Sequence, residues 1–260
     1  MTERKSAWPA GTPCWVDLMT SDIDAARLFY EGLFGWQLTV GPPETGGYTM
    51  AELDHLAVAG LGPIQPGQDG HPSVWTTYLA SDDVGATAKA ITRAGGTVVA
   101  EPFDVMDLGV MGAGKDPTGA TFGFWQAGKH TGAQLVNVTN TLVWNEVMTR
   151  EYQAAMNFYA AVFGYSYSDM GGDGFQYSTI ELDGNTVGGI GALPEDVPEQ
   201  VPAHWRTYFA VDDADEAVDS VVRLGGTVLR PPQDMPYGRH ADVADPQGAA
   251  FAVIKPAQPS

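Results

Sequence analysis

Residues 15–62 of the chain recur at 144–191, at a constant offset of 129, and residues 73–104 recur at 203–234, at an offset of 130. Trp15, Met19, Thr20, Ala25, Ala26, Phe29, Tyr30, Phe34 and Gly35 meet Trp144, Met148, Thr149, Ala154, Ala155, Phe158, Tyr159, Phe163 and Gly164. Trp75, Thr77, Tyr78, Ala80, Asp82 and Asp83 meet Trp205, Thr207, Tyr208, Ala210, Asp212 and Asp213, and the turns Asp116-Pro117 and Asp245-Pro246 also correspond. A unit of this length is a domain, because solenoid repeats run to a few tens of residues. The expected division is 1–126, a connection over 127–140, and 141–260. Each half is long enough to bury its own core.

Each half reads as strand, helix and strands, followed by the same again. Thr12–Met19 alternates so that Trp15, Asp17 and Met19 share one face. Ser21 or Asp22 caps a helix that ends near Phe34 at Gly35. Short strands are expected near Tyr48–Leu53 and Leu56–Leu61. Val74–Ala80 is a further strand, Asp82 or Asp83 caps a second helix that stops at Gly95-Gly96, and Thr97–Ala100 and Ala120–Gln126 are strands. The second half repeats this with Leu142–Met148, Arg150–Phe163, Phe175–Leu182, Val187–Ile190, Trp205–Ala210, Ala214–Leu224 and Ala249–Ile254. Trp75 and Trp205 are expected to face the helices.

Composition narrows the function. Thirteen basic residues against 32 acidic ones leave a net charge of −19, which argues against nucleic acid, since its phosphates are neutralised by Lys and Arg. No apolar run approaches the length of a membrane span, and no secretory signal is visible. A single cysteine, Cys14, excludes an internal disulfide, so a reducing, cytoplasmic setting is expected. P-loop, G-x-S-x-G and G-x-G-x-x-G motifs are absent.

The order of the pieces "SD…A…FY…LFGW", "DD…A…GG.V" and "DPxGxxF", with their counterparts in the second half, resembles the vicinal oxygen chelate superfamily. That superfamily contains glyoxalase I, bleomycin-resistance proteins and extradiol dioxygenases. "GTPCWVDLMTSD", "DPTGATFGFWQA" and "NTLVWNE" are similar to a two-domain actinobacterial glyoxalase-like group often labelled hydroxylases, which includes a mycobacterial culture-filtrate antigen. The resemblance implies an α+β fold of four βαβββ modules. Paired modules would form two open, cup-shaped antiparallel sheets with helices outside.

The resemblance also implies a divalent metal on each cup floor. Its ligand positions fall at Trp15, about Thr76 and Gly123 in the first half, and at Trp144, about Arg206 and Ala252 in the second. Indole only donates, guanidinium has no lone pair to offer, and Gly and Ala carry no ligating side chain, so no metal and no other cofactor is expected. The histidines 55, 71, 130, 204 and 240 read as scattered surface residues.

Two residues after the tryptophans, Asp17 and Glu146 should point into the cups as hydrogen-bond acceptors, general bases or partners in internal pairs. Glu146 and Arg206 on one inner face suggest an ion pair, whereas Thr76 leaves Asp17 without that partner. Trp15, Thr76, Tyr78 and Trp125 in the first cup, and Trp144, His204, Arg206 and Tyr208 in the second, are the candidate ligand contacts. The leading expectation is a metal-free protein, monomer or homodimer, that binds a small aromatic molecule in one or both cups. The alternative is an enzyme, a hydroxylase or glyoxalase-like lyase, with Asp17 or Glu146 as base and Tyr78 or Tyr208 as donor. A third class is a structural or signalling protein whose surface matters more than its cups.

Overall fold

The structure, a computed structural model, describes residues 2–68, 70–172 and 174–257. A short strand β1 (Thr2–Glu3) precedes the first domain. Its first module comprises β2 (Pro13–Thr20), helix α1 (Ile23–Phe34), β3 (Gln37–Val40), β4 (Thr49–Leu53) and β5 (Leu56–Pro63). Its second comprises β6 (Val74–Ala80), α2 (Val84–Arg93), β7 (Thr97–Val105), β8 (Gly109–Lys115) and β9 (Thr121–Ala127). After β10 (Leu135–Val136), the second domain follows the same course. Its elements are β11 (Leu142–Thr149), α3 (Tyr152–Phe163), β12 (Ser166–Asp169), β13 (Tyr177–Leu182), β14 (Asn185–Ala192), β15 (His204–Ala210), α4 (Ala214–Arg223), β16 (Thr227–Met235), β17 (Gly238–Ala244) and β18 (Ala250–Pro256).

Each domain is one open eight-stranded sheet, ordered β3-β4-β5-β2-β6-β9-β8-β7 and β12-β13-β14-β11-β15-β18-β17-β16. The two modules join through the antiparallel pairs β2–β6 and β11–β15. The sheets are not wholly antiparallel: β2 runs parallel to β5, and β6 to β9, with the same pairings in the second domain. A helix follows the first strand of each module, so the chain returns beside that strand in the same direction, as a crossover connection requires.

Asp22 and Asp83 resolve the capping alternatives and Asp213 caps α4, each accepting a backbone N–H of the first helical turn. Helix α3 starts at Tyr152 rather than Arg150, and Glu151 makes no side-chain cap. β7 runs on to Val105 instead of stopping at Ala100.

The helices lie on the convex faces of the cups, and those faces meet. Phe34 and Trp36, on and just after α1 of the first domain, pack on Phe209 of the second, with ring centroids 5.0 and 5.4 Å away. Phe158 and Tyr159 of α3 pack on Phe122 of the first domain. Such ring pairs add about 0.5–1.5 kcal/mol each beyond the burial of their area. Trp75 and Trp205 do face the helices, donating to the Tyr30 and Tyr159 hydroxyls. Between the sheets, the Asn145 side-chain oxygen accepts from Thr77 at 2.8 Å, and within its own sheet it accepts from Thr207 at 3.3 Å. The concave faces are left pointing away from each other.

Candidate functional site

Strand alternation puts Trp15 and Asp17 of β2 and Tyr78 of β6 on the concave face of cup 1, opposite Trp125 of β9. The cup is closed. Trp15, Asp17, Tyr78 and Trp125 are 4, 6, 8 and 7% exposed. His130, from the segment after β9, stands edge-on to Trp15 with ring centroids 4.4 Å apart, and the Trp125 indole donates to its carbonyl. The histidines expected on the surface therefore include this one, which closes a cup, and His240, which is buried against Tyr208. A lone histidine in a turn-like stretch carries no local signal of such a contact.

On this floor Asp17 accepts from the Tyr48 hydroxyl at 3.3 Å, and Tyr48 accepts in turn from the Trp15 indole at 3.0 Å. Asp17 Oδ1 has no hydrogen-bond partner among the described residues. Burial pushes the Asp17 carboxyl up to about 7, and the nearby Tyr78 and Tyr48 hydroxyls offset this only in part. Thr76 pairs opposite Asp17 in the β2–β6 ladder. The same burial holds the His130 imidazole down at about 4.

Cup 2 has the same plan with different contents. Glu146 is one methylene longer than Asp17 and meets two hydroxyls, accepting from Tyr208 at 2.7 Å and Tyr177 at 2.9 Å. The Trp144 indole holds Tyr177 at 3.0 Å. Ile254 occupies the strand position that Trp125 holds in cup 1. A cavity of about 600 Å³ results, with Glu146, Trp144, Phe175, Tyr177, Tyr208 and Tyr237 in its wall. Met170 and Tyr237 at its rim are 64 and 51% exposed.

Arg206 lies 3.8 Å from Glu146, the expected pair, but sits closer to Asp242, at 3.4 Å. Asp242, which sequence reading did not single out, is buried and also faces Arg230 at 3.8 Å. His204 stands on β15 two residues before Arg206, its Nδ1 2.9 Å from the Pro202 carbonyl. Of the eight candidate contacts, Trp144 and Tyr208 line the open cavity. Arg206 and His204 lie farther along the same strand, and Trp15, Thr76, Tyr78 and Trp125 belong to the closed cup.

The metal positions implied by the resemblance do not suit a cation. The Trp15 and Trp144 indoles donate to tyrosine oxygens. A Cβ at Gly123 would lie 2.1 Å from the Tyr78 ring, so that space belongs to the tyrosine. In cup 2 the corresponding positions carry a guanidinium and Ala252. Among the described residues, no three His, Cys, Asp or Glu side chains gather in a metal-binding group.

The family profile described as Glyoxalase/Bleomycin resistance protein/Dioxygenase superfamily matches residues 14–124 and 140–253. The chain is 45% identical over 259 residues to "Putative glyoxylase CFP32" of Mycobacterium tuberculosis, covering 98% of each chain. It is 39% identical to "Anthracycline biosynthesis protein DnrV" of Streptomyces peucetius, covering 94% of this chain and 93% of that one. Its fold is similar to the Mn(II)-bound glyoxalase from Novosphingobium aromaticivorans, with a TM-score of 0.67 and 19% identity over 95% of this chain and 82% of that one. The twofold βαβββ architecture and these matches together show that the chain belongs to the glyoxalase/bleomycin resistance protein/dioxygenase superfamily.

Proposed function

We propose that the chain binds a small, flat aromatic molecule in cup 2 without a metal. The observation that carries this reading is the cavity of about 600 Å³ walled by Trp144, Phe175, Tyr177, Tyr208 and Tyr237 over a single carboxylate, Glu146. Its volume falls in the usual range for ligand sites, and flat apolar walls with few polar groups suit a planar organic molecule. Glu146 accepts from two hydroxyls and can accept an O–H or N–H of the ligand as well. The name of the Streptomyces relative refers to anthracyclines, which are flat fused-ring aromatics, and points the same way.

Titration of tryptophan fluorescence with coumarins, naphthols and anthraquinones, including 7-amino-4-methylcoumarin, tests the reading. One site per chain is expected, and Ile254→Trp should abolish it by filling cup 2 as Trp125 fills cup 1. Failure of every probe to bind, or binding unchanged in Ile254→Trp, would refute it.

Catalysis in the same cavity is the second reading, favoured by two tyrosine hydroxyls within 2.9 Å of Glu146. Glu146 would take a proton from the ligand, and Tyr208 would donate. The name of the mycobacterial relative suits this reading. Glu146→Gln separates the two: turnover lost with binding retained supports the enzyme.

A further inference from the structure

Inside the rim formed by Met170 and Tyr237, the polar side chains in the wall of cup 2 leave only an acceptor free among the described residues. The Tyr177 and Tyr208 hydroxyls donate to Glu146, and the Trp144 indole donates to Tyr177. The Thr179 hydroxyl donates to Glu181. The backbone N–H groups of Gly171 and Gly172 are likewise engaged, with Asp169 and the Phe175 carbonyl. What faces a ligand is the carboxylate of Glu146, whose remaining lone pairs take a donor and refuse another acceptor.

A buried carboxylate needs a cation near it, or it takes up a proton and becomes a donor. Arg206 pairs opposite Glu146 in the β11–β15 ladder, on the same inner face, with its guanidinium 3.8 Å away. At this distance it acts by charge rather than by a hydrogen bond. Asp242 does not cancel that charge, because Arg230 stands 3.8 Å from its other oxygen. Burial holds His204 and His240 below the ordinary histidine value, so neither adds a charge near pH 7. Cup 1 lacks this set: Thr76, Ala100 and Ala113 hold the places of Arg206, Arg230 and Asp242 in the same ladders. Its sheet has the same strand order, so the fold does not require the charges. Asp17, with no guanidinium beside it, is the carboxyl that burial pushes up to about 7.

We infer that Arg206 sets the ligand class of cup 2. By pairing with Glu146 from beside the cavity it keeps that group an acceptor, so the cup takes aromatic alcohols and amines, which donate, and rejects ethers and carboxylates of the same shape. Arg206 acts through Glu146, as a positioning residue. An ether leaves the buried acceptor facing a second acceptor, and a carboxylate sets like charges side by side. This rests on cup 2 as the ligand site.

The test uses the full-length chain and three probes, 2-naphthol, 2-methoxynaphthalene and 2-naphthoate, in isothermal titrations at pH 7. The wild type is expected to bind the naphthol at least about tenfold tighter than the ether, the usual strength of a hydrogen bond to a charged group, and tighter than the naphthoate. Arg206→Thr, which copies cup 1, should bring naphthol and ether to within about twofold of each other. Arg206→Lys should restore the preference by returning the charge. A mere loosening of the cup would weaken both probes alike and leave their ratio unchanged. Equal affinity of naphthol and ether for the wild type overturns the inference while cup 2 stands, as does a preference that survives Arg206→Thr or that Arg206→Lys fails to restore. Naphthoate as the tightest of the three also overturns it, since Arg206 would then be the ligand's own contact. Should Arg206→Thr not fold, Arg206→Gln takes its place with the same expectations. If none of the three nor any other aromatic binds, the reading of cup 2 fails and takes the inference with it.

Discussion

The hydroxyl of Tyr30, on α1 of the first domain, donates to Asp245 Oδ2 of the second at 3.1 Å while accepting from the Trp75 indole at 3.0 Å. The same chain of contacts recurs as Trp205, Tyr159 and Asp116, running from the second domain to the first. Asp116 Oδ1 also gathers the backbone N–H groups of Thr118, Gly119 and Ala120 at 2.8–3.0 Å. The Asp-Pro turns of the repeat therefore do two jobs: they close their own turns and receive the helix of the other domain.

Tyr30→Phe leaves a buried indole N–H and a buried carboxylate oxygen without partners. The expected loss is about 1–3 kcal/mol, the desolvation penalty of groups left unpaired. Burial already raises the Asp245 carboxyl, with backbone N–H groups and Tyr30 opposing it. Removing the Tyr30 donor favours the neutral acid further, so the loss should be larger at pH 8 than at pH 4. Urea unfolding midpoints at the two values check this.

Much of this scaffold is legible in the sequence, since Asp22, Asp83 and Asp213 precede helices and Trp15, Asp17 and Met19 alternate along β2. The apolar face of α1 is legible as well, but not its partner. Periodicity shows that Phe34 is buried and cannot show that it is buried against Phe209, 175 residues away. Strands β3 and β8 escape notice because β3 is mostly exposed and β8, GVMGAGK, is rich in glycine. The unequal cups depend on His130 and on Trp125 against Ile254, contacts that no local pattern encodes.

Opening cup 1 should create a second site. Trp125→Ile combined with His130→Gly gives the first cup the lining that Ile254 gives the second. Truncating a buried tryptophan costs up to about 3–5 kcal/mol, so the variant should melt lower yet remain folded. Binding stoichiometry for a flat aromatic should rise from one to two per chain in isothermal titration. A stoichiometry that stays at one would mean that cup 1 collapses rather than opens.

Two glycines make room for the tyrosines that reach the carboxylates. A Cβ at Gly189 would lie 2.1 Å from the Tyr177 hydroxyl oxygen, and one at Gly60 would lie 1.8 Å from that of Tyr48. Either alanine substitution overpacks its cup, at about 1–3 kcal/mol. Gly189→Ala should also displace Tyr177 from Glu146 and weaken aromatic binding severalfold, whereas Gly60→Ala should lower stability alone. Parallel melting and fluorescence titrations of the two variants distinguish these effects.

Buried groups in cup 1 act on stability with opposite pH dependence. The Asp17 carboxyl rises from 3.8 unfolded to about 7 folded. Its neutral form suits the fold, so its contribution is complete below pH 3.8 and is lost as pH rises through 7. At 1.36 kcal/mol per pH unit this sets a ceiling of about 4 kcal/mol. His130 falls from 6.5 to about 4, so its contribution is complete above pH 6.5 and is lost as pH falls through 4, with a ceiling of about 3 kcal/mol. Between pH 4 and 6.5 the two slopes offset each other in the wild type. Asp17→Asn should remove one of them: the variant gains stability at pH 8 relative to the wild type, and the gain fades by pH 4. His130→Asn should remove the other, leaving stability that falls steadily from pH 4 to pH 7. Chemical denaturation of both variants across this range measures each slope, and two parallel profiles would refute the assignment of either charge.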